Sequence, residues 1–133
     1  MKNLYNSLVV STICAMKAGA FSDIWKSMTL FMLTFCFMLN LLSAWMIIDH
    51  FCCPGFTKFL AFDFISSDYY NGLIYLLVYF FIPPFIINYL LIFRKKKYEI
   101  LLINYPQAKS KRFFFTHFMG SLGLSYISLM LVI

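Results

Sequence analysis

Charge is what this 133-residue chain has least of. Only 12% of its residues are charged and five of those are acids, while 62% are hydrophobic and the mean hydropathy is +0.82. A water-soluble domain is closer to half apolar and a quarter charged. A chain this short cannot hide so much apolar surface in a core of its own, because small domains bury a small share of their surface. An integral membrane protein is therefore expected, with lipid as solvent for most of the apolar residues.

The motifs of catalysis are missing too. The sequence contains no HExxH, no GxSxG, no phosphate-binding glycine loop and no paired carboxylates, and with them goes the usual equipment for metal-dependent, nucleophilic or acid–base chemistry. No enzyme activity and no cofactor are expected. The four cysteines, Cys14, Cys36, Cys52 and Cys53, form no CxxC pair. Asp49, His50, Cys52 and Cys53 carry metal-binding atoms within five residues, but their spacing matches no standard site, and no metal is expected.

Three long runs carry no charge at all: Met28–Ile48, Gly72–Phe93 and Phe113–Ile133. At a rise of about 1.5 Å per residue each can cross a hydrocarbon core of about 30 Å. The fold class is thus an all-α membrane protein with three transmembrane helices, organised as a single domain: residues 1–27 N-terminal, 28–48 the first span, 49–70 a loop, 71–93 the second span, 94–112 a basic loop, and 113–133 the third span. In residues 1–27, Leu4, Leu8, Val9, Ile13 and Met16 recur at helical spacing between Asn6, Ser7, Ser11 and Lys17, which predicts an amphipathic helix lying in the interface. A secretory leader ending at Ala18-Gly19-Ala20 is the competing reading. Ser22-Asp23 reads as a helix start, and Trp25 and Trp45 fall where interfacial indoles belong. Residues 49–70, rich in Phe and broken by Lys58, Asp63 and Asp68, read as an interfacial loop. Pro83-Pro84 predicts a kink in the second span; a re-entrant hairpin turning at the prolines is the alternative.

The net charge of +6 is concentrated in one place. Arg94, Lys95, Lys96, Lys97, Lys109, Lys111 and Arg112 stand against a single acid, Glu99, between residues 94 and 112; elsewhere four Lys balance four Asp. Basic loops stay in the cytoplasm, so the N-terminus and residues 94–112 are expected inside and the C-terminus outside. Those seven residues are candidates for contact with anionic lipid headgroups or an acidic partner; nucleic acid is not expected. In layout the chain resembles small polytopic proteins of the bacterial inner membrane, at the level of architecture only.

Two polar patterns fall inside the spans. Counted by helical rise, Asn40, Ser125 and the carbonyls of Tyr79 and Phe80, which lose their donors to Pro83 and Pro84, come to one level about 18–20 Å from the basic side. Asn40 is expected to donate to those carbonyls, with Ser125 in the same seam. Gly120, Ser121, Gly123, Ser125 and Ser128 form a small-residue face suited to a close helix contact within or between protomers. The expected role is that of an interaction or assembly subunit, immunity or membrane-defence proteins being examples, working as a homo-oligomer or with another membrane protein. A homo-oligomeric pore lined by Asn40, Ser125 and Asn88, or an accessory subunit of a transporter or membrane enzyme, are the alternatives. Ion flux through liposomes distinguishes the pore.

Overall fold

In a computed structural model, which describes residues 2–52, 54 and 68–132, every regular element is helical. The chain runs as α1 (Lys2–Lys17), a 3₁₀ turn (Ser22–Ile24), α2 (Trp25–Phe51), α3 (Asp68–Leu76), a π-helical turn (Leu77–Phe81), α4 (Ile82–Asn88), a second π-helical turn (Tyr89–Phe93), a 3₁₀ turn (Arg94–Lys96), α5 (Lys97–Asn104), a 3₁₀ turn (Pro106–Lys109) and α6 (Lys111–Val132). Three stretches are long and apolar enough to cross a membrane: Ser22–Phe51, Tyr70–Asn104 and Lys111–Leu131. Most of the predicted loop 49–70, with Lys58, Asp63 and Cys53, lies outside the described residues.

The first span begins a turn earlier than its uncharged run. Ser22 marks the place without capping the helix; its hydroxyl lies 3.5 Å from the Asp23 carboxylate, and no side chain caps α2. The stretch through Pro83-Pro84 is helical from Asp68 to Phe93, with no turn at the prolines where a hairpin would reverse. The turn before the prolines is π-helical: the Ile82 N–H bonds the Leu77 carbonyl, five residues back. A π turn takes up one extra residue where the ordinary ladder loses donors.

α2 is the shared neighbour of the other two spans. α6 packs along one side of it and α4 with its preceding π turn along another, while α4 and α6 make no substantial contact with each other. The three spans form an open row rather than a closed triangle.

The N-terminal helix differs from its expected place in the interface. Val9, Val10, Ser11, Thr12 and Ile13 are all fully buried, with Leu8, Ala15 and Met16 nearly so. A peripheral helix would keep a polar face in water; α1 is instead enclosed by α2, α6, α5 and the Pro106–Lys109 turn. Both hydrophobic clusters are built on it: Leu8, Val9 and Ile13 meet Leu33 and Ile92 in one, and Ala15 and Met16 meet Phe114 in the other. Its polar residues bond inward, which is why they do not mark a solvated face.

Candidate functional site

Asn88 sits at the centre of a buried polar connection that the depth count missed. It is 2% exposed; its side-chain amide donates to Thr34 Oγ1 on α2 at 3.4 Å and accepts from the Tyr5 hydroxyl on α1 at 2.9 Å. Burial pushes the Tyr5 phenol up to about 12, so it remains a protonated donor at neutral pH. Further along α1, Asn6 donates to the Tyr105 hydroxyl at 3.0 Å. Ser11 donates to the Ser110 carbonyl and accepts from the Phe114 N–H at 2.9 Å. One α1 hydroxyl thereby satisfies an orphan donor in the first turn of α6.

The predicted mid-depth layer is divided. Ser125 does reach α2, but its partners are Ser43 Oγ at 3.1 Å and the Leu39 carbonyl at 3.3 Å. Asn40 is half-buried and has no hydrogen bond among the described residues. Three residues separate Asn40 from Ser43, about 60° of helix rotation. Rise along the axis matched these groups in depth; rotation about it decides which one faces α6. Asn40 thus makes no bond to the Tyr79 or Phe80 carbonyl; the Phe80 ring meets Trp45 edge-on with ring centres 6.0 Å apart, and Tyr79, Phe80 and Trp45 line an apolar groove of about 260 Å³ with Leu41, Ile48 and Tyr75. Pro84 is buried and Pro83 exposed.

The small-residue face is divided as well. Ser121 and Ser128 are buried and Ser125 half-buried, on the side of α6 that meets α2. Gly120 and Gly123 are exposed, and a Cβ added at either would meet nothing within 4 Å. Serines and glycines thus occupy different sides of α6.

At one end of the bundle the start of α2, the end of α4 and its π turn, α5 and the start of α6 gather around α1. Lys95 and Lys96 both have left-handed backbone, φ 57° and 54°, which costs a non-glycine residue about 1–2 kcal/mol each. The bend folds α5 back under the bundle, where Tyr98 meets Trp25 edge-on at 5.4 Å. The Lys17 ammonium lies 4.3 Å from the Trp25 ring, and the Lys26 ammonium 5.4 Å from Tyr98. Beside them opens a groove of about 300 Å³, with Lys26, Ser27 and Lys96 joined by Leu30, Tyr89 and Phe93. Arg94, Lys95, Lys97, Lys111 and Arg112 are exposed around this end; the Lys109 side chain lies outside the described residues. Lys17, Trp25 and Lys26 were absent from the expected basic site because they are distant in sequence from it, and Tyr98, which lies within residues 94–112, because it carries no charge. The nearest signal was Trp25, expected at the interface from its place before the first uncharged run.

Among the described residues no three His, Cys, Asp or Glu side chains cluster as a metal site. His50 packs edge-on against Phe51 at 4.7 Å, and Cys52 is an exposed free thiol. These features define a class, the helical polytopic membrane protein. Comparison with known protein families, curated proteins and solved structures finds no match to the chain.

Proposed function

We propose that the chain is a non-catalytic assembly subunit of a bacterial inner membrane, of the kind found in immunity or membrane-defence systems, which binds another membrane protein or its own copies through its spans. In this reading the N-terminus and residues 94–112 face the cytoplasm, in keeping with their positive charge, and Pro83-Pro84 with the π turn before them bend the second span. The observation that carries the proposal is the open row. Only 17–28% of the most apolar stretch of each span is covered within the chain, and the third span meets the bundle along one side while Gly120 and Gly123 stand uncovered on another. Glycine offers lipid almost no apolar surface and is a poor helix former by about 1 kcal/mol; what it permits is close approach of a second helix.

The test is the native mass of the gently extracted chain, with and without Gly120→Leu and Gly123→Leu together. The expected result is a stoichiometric partner or a closed homo-oligomer, lost in the double variant with no change in the protomer's melting temperature. A wild-type protomer that is alone and monomeric overturns the proposal. Ion flux through liposomes containing the pure chain would replace it with the pore reading.

A further inference from the structure

We infer that the groove between the start of α2 and the bend into α5 binds one anionic phospholipid, with the phosphate at Lys26 and Lys96 and the upper part of an acyl chain against Leu30, Tyr89 and Phe93. Three observations converge on this groove and are independent of the assembly reading above. The first is its polarity. Lysines and Ser27 supply one part of the lining and apolar or aromatic side chains the rest, within about 300 Å³, a size that suits a headgroup phosphate and the first segment of a chain. The second is uncompensated charge. Among the described residues no carboxylate pairs with Lys26 or Lys96, and Lys26 and Lys17 lie against the rings of Trp25 and Tyr98 instead. Two like charges sharing a groove repel, and a phosphate between them relieves that repulsion while gaining charge-assisted bonds. The third is construction. Lys96 lines the groove, and it and Lys95 adopt left-handed backbone; such strain persists where the surroundings over-determine it. A lipid is the occupant that this surface meets, because the groove opens where two long apolar helices begin and end and its walls continue into their exposed apolar faces.

Trp25, packed against Tyr98 and Lys26 of the groove wall, reports on occupancy. Trp45→Phe leaves it as the sole indole, and the full-length protein is placed in phosphatidylcholine vesicles containing a small fraction of dibrominated phosphatidylglycerol or dibrominated phosphatidylcholine. Bromine quenches the indole only when the chain is at van der Waals range. The expected result is stronger quenching by the anionic lipid at equal fraction. Each lysine near the surface contributes roughly fivefold, so Lys26→Gln with Lys96→Gln should lower the relative affinity by about 30-fold. Both side chains are exposed, so the variant should fold, and an unchanged melting temperature in the quenching vesicles checks that. Lys111→Gln with Arg112→Gln should leave the preference in place. Equal quenching by the two lipids overturns the proposal. So does equal loss in the Lys111/Arg112 variant, which would mean attraction to the whole basic end rather than a site. Abolition of the preference by 10 mM inorganic phosphate would show a free-phosphate site and overturn it too.

Discussion

The two ends of this bundle are held together differently. At the basic end α1 lies among the spans, its central residues are fully buried, and its hydroxyls and amides reach α4, α6 and the turn after α5. At the other end α2, α3 and α6 have no such companion among the described residues. The described contacts there include the Ser43–Ser125 bond and aromatic contacts such as Trp45 with Phe80, beside an apolar groove that lipid can fill. Lipid tails are as apolar as leucine, so burying leucine against leucine gains little in a membrane; close packing and hydrogen bonds decide where helices hold. A fourth helix threaded through one end supplies both, and the stability of the protomer should be concentrated there.

The largest expected effect follows from that difference. Ile13→Ala, which empties a fully buried position, should cost about 2–5 kcal/mol, whereas Leu41→Ala, 45% exposed in the other half, should cost less than about 1 kcal/mol. Thermal unfolding in a mild detergent reads both, and equal losses would mean that α1 is not the keystone of the basic end.

A smaller effect separates the two asparagines. Asn88→Leu leaves the Tyr5 hydroxyl and Thr34 without their partner and should cost about 1–2 kcal/mol. Asn40→Leu removes a polar group that has no hydrogen-bond partner among the described residues and should be neutral or slightly stabilising, within about 0.5 kcal/mol. The reverse order would restore the mid-depth layer centred on Asn40. Smallest of all, Ser43→Ala should cost about 0.6 kcal/mol, the mean for a hydrogen bond between membrane helices; Ser125→Ala, which also loses the Leu39 carbonyl, should cost at least as much, and the double variant should cost less than the sum, since the two share one bond.

Periodicity and depth were legible in the chain, and rotation was not. Trp25 and the uncharged runs marked the start of α2 and the three long apolar helices. The choice between Asn40 and Ser43, or between Ser121 and Gly120 on α6, depends on which azimuth faces a neighbour, and a linear sequence does not contain the neighbour. Asn6 and Ser11 misled for a related reason. Polar residues spaced along an apolar helix look the same whether they meet water or the backbone of another helix.

The amino-acid sequence by itself determined that the chain needs lipid, because uncharged runs of this length leave no other solvent for their surface, and it put the positive charge between the second and third spans. Only the tertiary structure decided that the first helix lies inside the bundle, that Asn88 rather than Asn40 joins the helices, and that Lys26 and Lys96, seventy residues apart, line one groove. The reason is that solvation is a property of each segment alone, whereas hydrogen-bond partners and shared clefts exist only once several segments are fixed against one another.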